Sequence, residues 1–210
     1  GNNNFGAFLQ AFSLQYVLSK KNYNVEIIDY IRQTTIENSK LIKMWPKHNF
    51  LTMVKSIIMV RNNFILRKKV QSVHDKLNLS EKQYFTSEEL HVDEMKWDKV
   101  IVGSDQVWNY NNTKFDPVYF LDFIDDNDKK VSYAASFGVS EIPELFPKEI
   151  NNITSEDNFR VAYAKYLEKF SNISVREQTG KTIVEELTNQ QAEIVLDPTM
   201  LLTKEEWRKL

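Results

Sequence analysis

Residues 98–109, DKVIVGSDQVWN, set the terms for the rest of the chain. Val100, Ile101 and Val102 form a short run of β-branched residues with no alternation, the pattern of a strand covered on both faces in a parallel sheet. The run stops at Gly103 and gives way to polar groups beside a tryptophan. In an open parallel sheet the ligand crevice lies outside the carboxyl ends of the strands, so Ser104, Asp105, Gln106 and Asn109 fall where chemistry is done. A simpler reading makes Ser104 the N-cap of a short helix with Asp105 in its first turn, favoured by the helix dipole. That reading leaves Gln106 and Trp108 unexplained.

A sheet of this kind needs a core. The chain has 210 residues, 42% of them hydrophobic and 12% aromatic, enough for one large domain or one and a half ordinary ones. No apolar run approaches the roughly 20 residues needed to span a bilayer, and no basic segment precedes an apolar one at the N-terminus, so neither anchor nor signal peptide is expected. The absence of cysteine excludes disulfides and thiolate metal sites and fits a cytoplasmic setting. A net charge of -2 gives no pull toward nucleic acid.

Along the chain, Asn2, Asn3 and Asn4 precede FGAFLQAFSLQYVLSKK, where Phe5, Phe8, Leu9, Phe12, Tyr16 and Leu18 roughly mark a helical stripe. Asn4 and Gly6 at that terminus make a candidate anion site, since free N–H groups and the dipole point outward there; an asparagine cap and turn explain the same residues. Asn22 and Tyr23 end the helix, and residues 24–30, NVEIIDY, read as a strand. A helix leading into a strand implies a first strand upstream of Gly1.

Residues 39–78 read as a helical insertion, with apolar Leu51, Val54, Ile57, Ile58, Ile65, Leu66, Val70 and Val73 at helical spacing. Its basic residues Lys55, Arg61, Arg67, Lys68 and Lys69 suit peripheral contact with anionic lipid or an acidic partner, or simply a solvated face. His48 and His74 read as surface residues. A loop follows, with Ser80 and Thr86 as candidate helix caps. Beyond residue 109, Asp116-Pro117 marks a turn over a plug of Tyr119, Phe120, Leu121 and Phe123.

Residues 130–136, KVSYAAS, are the next strand. Small Ala134, Ala135 and Ser136 permit close approach of a ligand or of packed backbone, and Gly138 permits a tight exit. A helix over 159–170 leads to a strand at 172–175 with Arg176 at its carboxyl end. The guanidinium fork suits a carboxylate or phosphate; an ion pair with Glu177 is the plainer alternative. A helix over 179–187 and a strand over 192–196 follow. Asp197-Pro198-Thr199 is a sharp exit on the crevice side, and Thr203 caps a helix from Lys204. The alternation of strands and helices gives an α/β fold, a doubly wound, mostly parallel Rossmann-like sheet.

The blocks NNNFGAFLQAFSLQ (2–15), VGSDQVWN (102–109), YAASFG (133–138), SVREQTG (174–180) and VLDPTMLL (195–202), in this order, resemble the polysaccharide pyruvyl transferase family. The resemblance implies one half of a GT-B-like arrangement: residues 1–202 as the N-terminal Rossmann-like domain and residues 203–210 as the start of a connection to a C-terminal domain. It implies transfer of the pyruvyl group of phosphoenolpyruvate to hydroxyls of a saccharide or lipid-linked saccharide as a ketal, in bacterial cell-envelope or exopolysaccharide biosynthesis, in the cytoplasm or at the inner face of the membrane. No metal or cofactor is implied.

Arg176 matches a family arginine that holds phosphoenolpyruvate. Ser104, Asp105, Gln106, Asn109, Ser136 and Gly138 are expected contacts, with Trp108 a stacking face or a core anchor. The general acid is implied to be a histidine of the second domain, since His48, His74 and His91 sit in no matching motif; the 210 residues alone are then expected to be inactive. A nucleotide-sugar glycosyltransferase of GT-B type and a non-catalytic sugar-binding module remain alternatives.

Overall fold

The computed structural model describes residues 5–32, 75–147, 150 and 158–209. The chain divides into two compact units, Gly1–Thr86 and Ser87–Leu210. No helix among the described residues is long and apolar enough to cross a membrane.

In the first unit, α1 spans Phe5–Lys20. Asn22 ends it in the left-handed region at φ 65°, with the Tyr23 N–H on the Leu18 carbonyl (3.3 Å) and the Asn22 N–H on that of Ser19 (2.9 Å). This is the paired closure that satisfies a helix's last carbonyls, and asparagine tolerates it as few other residues do. Strand β1, Ile27–Tyr30, pairs in parallel with β2, Leu79–Tyr84, with an irregularity between Ile27 and Asp29. There the Ser80 hydroxyl accepts the Asp29 N–H and donates to the Lys82 carbonyl. The expected role of Ser80 as a helix cap is thus replaced by repair of a strand ladder. The helix expected across the insertion lies mainly outside the described residues; residues 75–77 turn.

The second unit carries α2 (Ser87–Val92), β3 (Val100–Gly103), α3 (Tyr110–Thr113), β4 (Lys130–Tyr133), α4 (Phe159–Leu167), β5 (Ile173–Val175), α5 (Gln178–Leu187), β6 (Ala192–Ile194) and α6 (Lys204–Lys209). Strands β3 and β4 pair in parallel, as do β5 and β6, and parallel bridges Val131–Asn172 and Ala135–Val175 join the two pairs in the order β3-β4-β5-β6. The mixed α/β class and the parallel pairing agree with the sequence reading.

One expectation about β3 fails. Val100 and Val102 are buried, but Ile101 between them is 38% exposed. A strand sends successive side chains to opposite faces, and an apolar run does not reveal how many of those faces are covered.

The core of this unit is aromatic. Trp108 is fully buried, stacked on Phe120 (6.1 Å between centroids), tilted against Phe137 (5.2 Å) and edge-on to Phe170 (5.5 Å). Its indole N–H donates to the Tyr119 carbonyl, and the buried Tyr163 hydroxyl donates to the carbonyl of Trp108 itself. Each ring pair adds about 0.5–1.5 kcal/mol beyond area burial. Trp108 is therefore the anchor beneath the VGSDQVWN turn rather than a stacking face. Burial pushes the Tyr163 phenol well above its ordinary range, as expected for a hydroxyl that serves only as a structural donor.

Candidate functional site

Strand β3 ends at Gly103, where a Cβ would fall on the Tyr133 carbonyl oxygen, so the close β3–β4 approach requires glycine. The chain then turns sharply at Ser104, φ 40°. Ser104 caps no helix. It is fully buried, and its hydroxyl donates to Asp197 Oδ2 at 2.6 Å, across 93 residues of sequence. The cap of the following helix α3 is Asn109, whose Oδ1 accepts the Asn111 N–H at 3.0 Å. Asp105 closes its own turn, its Oδ1 accepting the Gln106 N–H at 2.8 Å.

Because Asn109 Oδ1 is taken by the cap, its amide nitrogen turns to Gln106 Oε1 (3.0 Å), which also accepts from Asn112 Nδ2 (2.7 Å). Gln106 is left with Nε2, a donor with no acceptor among the described residues. Gly138, at φ 59°, lies so close to this amide that a Cβ there would be 2.6 Å from the Gln106 side chain and 2.7 Å from Asn109 Nδ2.

At the end of β5, Arg176 Nη1 donates to the Ser104 carbonyl at 3.0 Å and lies 3.5 Å from Asp197 Oδ2, while Nε is 3.6 Å from Glu177 Oε2. The ion pair with Glu177 therefore exists, but it uses one edge of the guanidinium. Nη2 has no acceptor among the described residues. Glu177 Oε1 accepts from the Ser136 hydroxyl (2.8 Å) and the Phe137 N–H (3.2 Å), tying the end of β4 to the start of α5. Burial pushes the Asp197 carboxyl up, but hydrogen bonds from Ser104 and from the Thr199 N–H and hydroxyl, with the Arg176 charge, outweigh it and hold the group below its usual value.

These strand ends border a cleft of about 380 Å³ lined by Gln106, Ser136, Gly138, Val139, Ser140, Arg176, Glu177 and Thr179. Of the residues singled out from sequence, Gln106, Ser136, Gly138 and Arg176 line it; Ser104, Asp105 and Asn109 hold its shape from behind. Gly6 belongs to the first unit and Asn4 lies outside the described residues. The sequence reading did not single out Val139, Ser140 or Thr179, nor Glu177 as a clamp. No local pattern marks Glu177 as a clamp, since its partners Ser136 and Phe137 lie 41 and 40 residues away in sequence.

Helix α5 supplies the other half of the cleft's chemistry. Among the described residues no side chain caps it and the N–H groups of Gln178, Thr179 and Gly180 have no partner, the first intrahelical bond being from Lys181 to Glu177. Such a terminus carries about half a positive charge. An arginine with a free terminal nitrogen, an amide donor and an open helix start together form a donor-rich cradle suited to an anion.

The model of a protein family described as polysaccharide pyruvyl transferase matches residues 4–210. No curated protein and no solved structure matches. The chain belongs to the polysaccharide pyruvyl transferase family, a family of transferases.

Proposed function

We propose that the cleft holds the anionic donor of a pyruvyl transfer, phosphoenolpyruvate, and that the protein attaches its pyruvyl group to a saccharide as a ketal in cell-surface polysaccharide biosynthesis. The observation that carries this reading is the pairing of Arg176 Nη2 with the uncapped start of α5 in one cleft. In the reaction a general acid protonates the methylene carbon of the enol phosphate. One sugar hydroxyl bonds to the resulting oxocarbenium-like carbon and gives up its proton, phosphate leaves with the electron pair of its C–O bond, and the second hydroxyl bonds to the carbon in its place and gives up its proton in turn.

Charge balance sets what else is required. Among the described residues Arg176 is the guanidinium of the cleft, and it is shared between Glu177 and Asp197. An anion with two charged ends calls for a further cation, and the chemistry calls for a proton donor. We place both on a second Rossmann-like domain facing this edge in a GT-B-like arrangement, in which residues 1–202 are the N-terminal half.

Calorimetry of phosphoenolpyruvate binding to the intact protein tests the assignment. Arg176→Lys keeps the charge and loses the planar fork, and is expected to weaken binding by about 1.5–3 kcal/mol. Unchanged affinity with the fold retained would make Arg176 structural. Binding of a nucleoside diphosphate in place of phosphoenolpyruvate would favour a nucleotide-sugar glycosyltransferase instead.

A further inference from the structure

We propose that Asp197 is a positioning residue for Arg176: together with Ser104 it pins one edge of the guanidinium so that Nη2 is left for the ligand, without touching the ligand itself. The inference rests on the anion-site reading above.

The fixing is geometric. Asp197 Oδ2 accepts the Ser104 hydroxyl at 2.6 Å and lies 3.5 Å from Arg176 Nη1, while the Ser104 carbonyl accepts that same Nη1 at 3.0 Å. Two acceptor atoms from two strand ends thus hold Nη1, and the Ser104 hydroxyl holds one of them. Asp197 cannot swing away, because its Oδ1 accepts from the Thr199 N–H (3.0 Å) and hydroxyl (2.7 Å) and the next residue is the buried Pro198. The Asp-Pro-Thr exit of β6 is a local turn whose Asp197 side chain is locked by bonds that do not involve Arg176. With Nη1 held there and Nε beside Glu177, rotation of the planar fork would break contacts on two edges. Asp197 does not line the cleft, so its influence on a ligand passes through Arg176.

The experiment measures phosphoenolpyruvate affinity of the intact protein by calorimetry in a double-mutant cycle. Asp197→Asn, which leaves the shape and removes the charge, is expected to weaken binding about tenfold in the parent. In the Arg176→Lys background it should add nothing, since the group it positions is already lost. Thr199→Val, which frees Asp197 Oδ1 of one hydrogen bond and leaves the charge, should weaken binding in the same direction by less; it carries the test if Asp197→Asn does not fold.

Unchanged affinity in whichever variant folds, or a loss that adds in full to that of Arg176→Lys, overturns the positioning role while the anion site stands. An Arg176→Lys protein that binds as the parent does overturns the anion-site reading and this inference with it.

Discussion

Gly138 shows how far a single residue fixes the cleft. At φ 59° an L side chain is strained, and the space a Cβ would take is already filled by the Gln106 amide at 2.6–2.9 Å. Gly138→Ala is therefore expected to cost about 1–3 kcal/mol of stability and to displace Gln106 from its two asparagine donors. Denaturant unfolding reads the first effect and phosphoenolpyruvate calorimetry the second. A variant of parental stability and affinity would show that the turn relaxes freely. The four residues from sequence that line the cleft were legible because each interrupts an apolar run at a strand end: Gln106 after VIVG, Ser136 and Gly138 after VSYAA, Arg176 after NISV. The supports behind them were not. Ser104 meets Asp197 across 93 residues and Ser136 meets Glu177 across 41, and no spacing rule connects residues so far apart.

At the scale of elements, the join between β4 and β5 is irregular, and its repair is specific. The bridges Val131–Asn172 and Ala135–Val175 leave one more residue on β4 than on β5, and Ala134 takes φ 52° to absorb it. The ladder is closed by two hydroxyls: Ser132 Oγ accepts the Ser174 N–H and donates to the Ser174 carbonyl, while Ser174 Oγ accepts the Ala134 N–H and donates to the Ser132 carbonyl. Ser174→Ala would leave the N–H of the fully buried Ala134 without its partner, at an expected cost of about 1–3 kcal/mol, read from denaturant unfolding. A loss well below that range would mean that water or a shifted ladder satisfies the group. In sequence residues 130–136 look like one continuous strand, because alanine gives no sign of a left-handed φ. Strand β2, LSEKQY, is hard to see in sequence for a related reason: Glu81 and Lys82 are exposed and only Tyr84 is buried, so the segment has too little apolar periodicity to announce itself. By contrast, the cap of α6 was legible, since Thr203 and Glu206 form the T-x-x-E exchange in which each side chain accepts the other's N–H.

At the scale of the second unit as a whole, two carboxylates are moved in opposite directions, and their windows on the pH axis do not overlap. Burial pushes Asp122 above 3.8, aided by the charges of Asp116 and Glu88 and opposed by the Ser87 hydrogen bond and the Lys130 charge. Its native form holds a proton more tightly than the unfolded chain does, so stability falls as pH rises from 3.8 through the folded value. Asp197 lies below 3.8, so the stability it contributes is present above that pH and is lost as pH falls through its folded value. Acidification from neutral pH should thus recover the Asp122 penalty first and forfeit the Asp197 contribution afterwards. Asp122→Asn separates the two, because asparagine still accepts from Ser87 and carries no charge at any pH. The variant should be more stable than the parent at neutral pH, by a margin that shrinks as pH falls toward 3.8 and is flat below it. Urea unfolding of both proteins across this range measures the margin. A margin that widens on acidification would mean that the native state favours the ionised form of Asp122, and that its pull toward Lys130 outweighs the cost of burial.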